Sequence, residues 1–390
     1  MRIAYICVDP GVPVFGCKGC SIHVQEVMRA LLKQGHQVEL FTTRLGGEPP
    51  RDLAKVTVHQ LPQLPKGDRA QRETAALSIN LDLRLALENS GDFDLVYERY
   101  SLWSFTGMEY ARAANIPGIL EVNAPLIEEQ AQHRGLVNHE AADKVAQRVF
   151  GAATALVAVS QGVADYLASF PLTQGRIHVI PNGVNPERFA IHLQPSFPTP
   201  NNVFTVGFVG TMKPWHGLET LIAAFEILHS ADPKTQLLIV GDGPTKDKVL
   251  ELATRRLSPK VVHLTGAVTA DAIPGLLASM DVAVAPYAQQ SHFYFSPLKV
   301  YEYMAAGLPI VASNIGQISR LIEHYKNGLL CSPGDVLHLA ALLYHLRLQP
   351  ELCWRLGQAA RKTVLENHTW DVVVQQILSL VSSSVVEVSL

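Results

Sequence analysis

Three strand-to-helix turns carry the residues best suited to hold an anion. In the first, Gly210-Thr211-Met212-Lys213-Pro214-Trp215-His216-Gly217, an apolar run ends in Gly210 and a helical run starts after Gly217. A glycine lets a phosphate approach the backbone, and a helix start offers amides with no partner of their own. Lys213 and His216 are expected to add positive charge there. The plainer alternative is an ordinary turn with a solvated lysine. The second turn, Gly241-Asp242-Gly243-Pro244, also follows an apolar run. Its next glycine position holds Lys246, so it does not complete the G-x-G-x-x-G pattern of nicotinamide enzymes. The third, Phe293-Tyr294-Phe295-Ser296-Pro297-Leu298-Lys299-Val300-Tyr301-Glu302, is the most informative. Pro297 suits the first turn of a helix with Ser296 as its cap. Glu302 then falls among apolar neighbours. A carboxylate in such a place needs a hydroxyl or a cation, and the vicinal hydroxyls of a ribose fit. A structural ion pair with a lysine is the alternative.

Weaker signals lie in the first half. Cys17-Lys18-Gly19-Cys20 precedes a helical run, where a thiol pKa is lowered. A redox switch is one reading and unconstrained loop residues are the plainer one. No second cysteine pair follows at zinc spacing, so no metal site is expected. His23 is either a polar helix-face residue or a ligand of the site. Glu128, Glu129 and His133 read as a solvated face, and Tyr100 and Trp103 as core aromatics or stacking platforms for a sugar.

The elements that must position these residues alternate along the chain. Short apolar runs at Ile3–Val8, Gln37–Thr42, Leu95–Tyr97, Gly118–Val122 and Ala155–Val159 are separated by amphipathic stretches, and the same grammar restarts at Phe204–Val209. This pattern predicts two parallel sheets with helices on both faces. A proline-rich lapse at 191–202 reads as a linker. The predicted organisation is therefore residues 1–190, the linker, residues 203–368, and a terminal segment 369–390 whose helix is a candidate to pack back on the first domain. Ligands of doubly wound sheets bind at the carboxyl ends of the strands, so the two domains are expected to face each other across a cleft. With 390 residues, 48% apolar and 17% charged, the chain can bury a large core. A net charge of −3 argues against nucleic acid as the main partner. Five thinly spread cysteines suit a reducing cytoplasm, and no apolar run is long enough to cross a membrane.

These three turns, in this order, resemble glycosyltransferase family 4, whose fold is GT-B. So do Val157–Val163, the run Ile180-Pro181-Asn182-Gly183-Val184-Asn185-Pro186-Glu187-Arg188-Phe189, and the opening with Gly16, Gly19 and His23. The resemblance spans residues 1 to about 375. It implies a retaining transfer of a hexose-type sugar from a nucleotide diphosphate donor, such as a UDP-sugar or GDP-sugar, with no metal or other cofactor required. It implies donor binding by the C-terminal domain and acceptor binding by the N-terminal one. The acceptor would be a glycan, a lipid-linked sugar or a small molecule, and peripheral contact with the inner membrane face accompanies many members. On the donor side it points to Gly210, Thr211, His216, Asp242, Gly243, Val268 near the base, Tyr294 through Leu298 over the phosphates or sugar, and Glu302 on the ribose. Lys213 and Lys299 would stabilise the leaving diphosphate. Asn123 or Glu121 would orient the acceptor.

Three departures from the family pattern stand out. Tyr294 stands where the first Glu of the E-x7-E motif belongs. Thr211 and His216 replace the Arg and Lys of the phosphate loop, leaving Lys213 and Lys299 as substitutes. Asn123 stands where the family often has an acceptor-side His. The departures mark a subgroup. They also keep alternatives open: a catalytically silent sugar-nucleotide-binding partner, or a sugar-nucleotide epimerase of the same fold.

Overall fold

The computed structural model of the protein describes residues 1–190, 193–200, 202–290 and 292–382. Its chain divides into two compact units. The first comprises Met1–Asn182, Tyr294–Ser296 and the segment from Trp370 onward, and the second comprises Gly183–Phe293 and Pro297–Thr369.

Among its described residues the first unit holds seven strands: β1 (Arg2–Cys7), β2 (Gln37–Thr42), β3 (Thr57–Gln60), β4 (Leu95–Arg99), β5 (Gly118–Val122), β6 (Ala155–Ala158) and β7 (Ile177–Val179). They form one sheet in the order β3-β2-β1-β4-β5-β6-β7, and every pair is parallel. Its helices are α1 (Gly19–Lys33), α2 (Arg69–Asn89), α3 (Thr106–Ala113), α4 (Leu126–His133), α5 (His139–Ala152) and α6 (Gln161–Ala168). The central strands are buried on both faces, which is why they read as apolar runs without clean alternation. On one face Ile6, Val96 and Leu120 pack with Leu83, Met108, Val149 and Phe150.

The second unit repeats the design with β8 (Phe204–Val209), β9 (Thr235–Val240), β10 (Val262–Leu264), β11 (Val282–Ala285), β12 (Ile310–Ser313) and β13 (Leu329–Cys331). The order is β10-β9-β8-β11-β12-β13, again parallel throughout. Helices α7 (Leu218–Ala231), α8 (Lys246–Arg256), α9 (Ile273–Leu277), α10 (Leu298–Ala305), α11 (Ile318–Leu321), α12 (Val336–Leu348) and α13 (Pro350–Asn367) accompany it. Val206, Phe208, Leu221, Phe225, Val284 and Leu343 form its core. In both sheets the order reverses beside the first strand, at β1/β4 and β8/β11. These are the switch points where ligands of such sheets bind.

The last helix, α14 (Trp370–Ser382), lies in the first unit. Lys33 donates to Asp371 Oδ2 at 2.7 Å and Gln34 Nε2 to the Asp371 carbonyl at 3.0 Å, fixing α14 along α1. The remainder of the predicted terminal segment, 383–390, lies outside the described residues.

Several boundaries differ from the sequence reading. Gly183–Ala190 sorts with the second unit, where the Val184 amide donates to the His368 carbonyl at 2.8 Å. Of the expected linker, residues 191, 192 and 201 lie outside the described residues. Ser196 and Phe197 are tied to Gly275 and to Ser279 Oγ, at 3.0 Å each. Helix α9 ends at Leu277, because Ser279 and Met280 tighten its last turn with i→i−3 bonds before β11. Ser296 is not a cap. Pro297 holds the extended N-cap position of α10 without a side-chain cap, and Ser296 Oγ instead accepts from the Asn182 amide at 3.1 Å.

Candidate functional site

In the second unit the loops after β8, β9 and β11 meet the start of α10. The Gly210 amide donates to the Val240 carbonyl at 2.9 Å, and the Met212 amide to the Asp242 carbonyl at 2.9 Å. Gly210 has φ +144°, and a Cβ there would lie 2.7 Å from Lys299 Nζ. The lysine therefore points at a backbone position that carries no side chain.

Lys299 is the second residue of α10 and only 9% exposed. Its Nζ lies 4.1 Å from the Phe208 ring centroid and 5.5 Å from that of Tyr287, and has no hydrogen-bond acceptor. Burial pulls its pKa down to about 7, and Glu302 restores only part of the difference. An ammonium in an aromatic box gains some cation–π attraction but still lacks an anion.

His216 does not supply the positive charge expected of it. Burial, then Lys299, push its pKa down to about 2, so the ring is neutral. Its Nδ1 contacts the Thr211 carbonyl, which can only accept, so the ring's other nitrogen carries the lone pair. Lys213 folds over Trp215, 5.5 Å from the ring centroid. Thr211 is exposed. Asp242 accepts from the Gly243 amide and from Lys246 Nζ, both at 2.7 Å. Val268 is half-buried in the loop that follows β10.

Glu302, four residues along α10 from Leu298, stands 3.2 Å from Arg188 Nη1, each side chain less than one-fifth exposed. Arg188 Nη2 donates to the Ala270 carbonyl at 2.8 Å. The ion-pair alternative for Glu302 is thus realised, with an arginine in place of a lysine. Tyr303, one residue on, receives the Val209 amide at 2.7 Å and returns its hydroxyl to the Val209 carbonyl at 3.2 Å. It locks α10 to the end of β8.

Tyr294, Phe295 and Ser296 sort apart from Pro297, Leu298, Lys299 and Glu302. They belong to the first unit. Ser160 Oγ donates to the Tyr294 carbonyl at 2.6 Å, Tyr294 Oη to Glu129 Oε2 at 3.0 Å, and Asn182 Nδ2 to the Ser296 carbonyl at 2.7 Å. Glu129, read from sequence as part of a solvated face, is therefore the partner of the tyrosine that replaces the motif's first Glu.

The first unit gathers its own predicted residues at the carboxyl ends of β1, β4 and β5. His23 Nε2, from α1, stands 2.5 Å from Glu121 Oε1, with both side chains 3% exposed. Tyr97 donates to Glu121 Oε2 at 3.0 Å and Asn123 Nδ2 to Oε1 at 3.3 Å. Burial alone would raise the Glu121 pKa. His23, Arg99 and Tyr97 together outweigh it and hold the carboxyl at about 2. His23 is thus a buried partner of Glu121, and its ring also meets Trp370 edge-on at 4.8 Å. Gly16 lies in a loop whose shape is set by Gln25, which donates to the Val14 and Gly16 carbonyls at 2.8 and 2.9 Å. Gly19 opens α1. Cys17 and Cys20 are both free thiols. Among the described residues no three His, Cys, Asp or Glu side chains gather as a metal would require.

Sequence reasoning missed Arg188, Arg99, Gln25 and Tyr303. Arg188 had a signal: it is the only cation in the Ile180–Phe189 run. Arg99 had one too, being a cation at the end of a buried strand.

Two family models match in succession: Glycosyltransferase Family 4 over residues 18–188, and Glycosyl transferases group 1 over residues 203–347. An MMP alpha-(1->4)-mannosyltransferase of Mycolicibacterium hassiacum is 25% identical over 415 residues, covering 96% of each chain. Among solved structures, a sucrose-phosphate synthase of Thermosynechococcus elongatus superposes with a TM-score of 0.78 at 22% identity, covering 99% of this chain and 100% of that one. The Anabaena protein HepE, solved in complex with UDP-glucose, gives 0.73 at 20% identity, covering 98% and 100%. At that identity these structures speak for the shared GT-B architecture. Among the described residues no helix is long and apolar enough to cross a membrane.

Proposed function

We propose, from the premise that the chain is a glycosyltransferase built of a family 4 domain followed by a group 1 domain, that it is a retaining hexosyltransferase. In this reading it takes its sugar from a nucleotide diphosphate donor held by the second unit and passes it to an acceptor held by the first. The observation that carries the reading is the buried, acceptor-less Lys299 ammonium facing Gly210. A diphosphate seated over the Gly210 turn would supply the missing negative charge. The opening amides of α10 would add to it, since helix starts favour anions.

Retention needs no protein nucleophile if the leaving diphosphate takes the acceptor proton on the same face of the sugar. The protein then has to stabilise charge growing on the β-phosphate, which pre-placed donors do at about 2–4 kcal/mol each. Lys299 has this role, with Lys213 swinging from Trp215 to assist. Neutral His216 offers a lone pair to a hydroxyl and no charge. Glu302, steadied by Arg188, takes the ribose diol, and the loop at Val268 lies beside the base. No step calls for a metal. In the first unit Asn123 and Glu121 orient the acceptor, with His23 fixing Glu121. The HepE structure holds UDP-glucose, which favours a nucleotide-sugar donor here as well.

The test is a panel of nucleotide sugars screened by thermal shift, followed by turnover with and without candidate acceptors. Nucleotide diphosphate released only when acceptor is present supports transfer. Tight donor binding with no turnover for any acceptor would instead support a silent binding partner. On the donor side, Glu302→Gln is expected to erase most of the preference for UDP over 2′,3′-dideoxy-UDP, a factor of about ten. An unchanged preference removes Glu302 from the ribose.

A further inference from the structure

One face of the first unit's sheet carries a file of polar side chains. Alternate residues of a strand share a face, and the parallel register sets Tyr5 beside Tyr97 and Arg99 beside Glu121. Tyr5 and Tyr97 stack with centroids 5.1 Å apart. Helix α1 meets the upper end of this file through His23, whose Nε2 stands 2.5 Å from Glu121 Oε1. Arg99 lies within electrostatic reach of Glu121, Cys7, Cys20 and Tyr5.

Three atoms here are out of solvent and without a partner: Tyr5 Oη, Arg99 Nη1 and Asn123 Oδ1. Tyr5 is completely buried. Native proteins leave few such atoms, and three around one carboxylate ask for a missing partner. Their kinds say what that partner is. A guanidinium N–H and a hydroxyl can donate, and burial raises the Tyr5 pKa so that its hydroxyl keeps the proton. The N-terminus of α1 adds to the same polarity: it has no side-chain cap, no acidic residue in its first turn, and Lys18 at its N-cap. The nearby carboxylates are already engaged. Glu121 is shared by His23, Tyr97 and Asn123, and Asp9 accepts from the Gly11 amide at 2.7 Å. Arg99 and Asn123 are only partly buried as residues, so the upper end of the file reaches the surface.

We propose that this file is an oxyanion subsite, in which Arg99 and Tyr5 bind a phosphate or carboxylate carried by the acceptor while Asn123 Oδ1 receives one of its hydroxyls. The inference rests on the reading that the first unit takes the acceptor. It narrows that acceptor to an anionic one and makes Arg99 and Tyr5 its specificity determinants. No bond is made or broken at the subsite.

The experiment is calorimetric titration of the full chain with glucose 6-phosphate and glycerol 3-phosphate, each against its neutral parent, glucose or glycerol. The phosphorylated probes are expected to bind more tightly than the parents. Arg99→Gln should weaken the phosphorylated probes by about tenfold or more, as expected for loss of a hydrogen bond to a charged group, and leave the parents unchanged. Tyr5→Phe, which keeps the ring stack and removes only the hydroxyl, should weaken them several-fold and covers the case in which the arginine variant does not fold. Dependence on Arg99 or Tyr5 separates this site from a phosphate bound at Lys299. Vesicles of phosphatidylinositol in phosphatidylcholine, compared with the soluble probes, tell a lipid-borne phosphate from a free one. Equal binding of sugar and sugar phosphate, affinities indifferent to both variants, or no binding of any phosphorylated probe at millimolar concentration would overturn the proposal. UDP and GDP titrated into the same proteins report on the second unit, so failure of the donor reading is seen separately.

Discussion

Lys299 is held between aromatic rings with its amine unpaired, and two measurable consequences follow from its pKa of about 7. In the proposed function, donor binding needs the ammonium. With UDP-glucose or GDP-mannose, whose diphosphate charge is constant near neutrality, affinity should be highest below pH 7. It should fall by up to roughly tenfold per pH unit above that, and Lys299→Met should flatten the profile. An affinity that is level from pH 6 to 8.5 in the wild type would contradict this. Stability moves the other way. The fold depresses this pKa, so between pH 7 and about 10.4 the unfolded chain binds the extra proton and stability rises with pH. Lys299→Met should therefore raise the thermal midpoint at pH 7 while cutting turnover by about a hundredfold or more. Parallel loss of both would make the lysine structural. At this scale the sequence was partly legible. Lys299 and Glu302 stood out because a helix start and an apolar neighbourhood are visible in the chain itself. Arg188, the partner of Glu302, is 114 positions away, and no local pattern announces such a pairing. The neutrality of His216 was likewise hidden, because it depends on burial and on Lys299.

At the scale of elements the strands were the easiest to read, since central parallel strands are short, apolar and bounded by turn residues. What could not be read was which buried strand residues are polar for a reason. Tyr97 and Glu121 sit inside runs that look like core, and only the register of β1, β4 and β5 brings them together. The same limit applies to Ser296, whose apparent cap position was plausible until its hydroxyl was found accepting from the Asn182 amide. The turn between β8 and α7 gives a sharper test of how an element is held. Gly217 has φ +64°, and a Cβ there would stand 1.6 Å from the Pro286 carbonyl oxygen. Neither the dihedral nor the neighbouring backbone can yield cheaply. Gly217→Ala is expected to cost at least about 1–3 kcal/mol of stability, read by urea unfolding. It should also shift the Gly210–His216 loop enough to weaken nucleotide binding. A variant as stable as wild type would mean that the loop after β11 moves freely, against the contact described here.

At the scale of the whole molecule, the first unit is completed by a piece of chain that returns to it after nearly the whole of the second unit. Helix α14 buries Trp370, Val373, Val374, Ile377 and Val381, and it covers α1, whose His23 holds Glu121. The second unit has its own core and its own sheet, so the two should respond separately to damage at α14. Trp370→Ala removes a 5%-exposed aromatic, which typically costs about 3–5 kcal/mol. The expected result is an unfolding transition of the first unit at lower temperature, together with loss of turnover as the support for His23 is withdrawn. Nucleotide binding, which the proposed function assigns to the loops of the second unit, should survive in the folded protein within about twofold of wild type. Differential scanning calorimetry with and without UDP or GDP reads both quantities in one sample: the nucleotide should raise the transition of the second unit in wild type and variant alike. If Trp370→Ala instead abolishes nucleotide binding while the protein remains folded, the donor cannot be held by the second unit alone, and the division of labour between the two sheets would have to be redrawn.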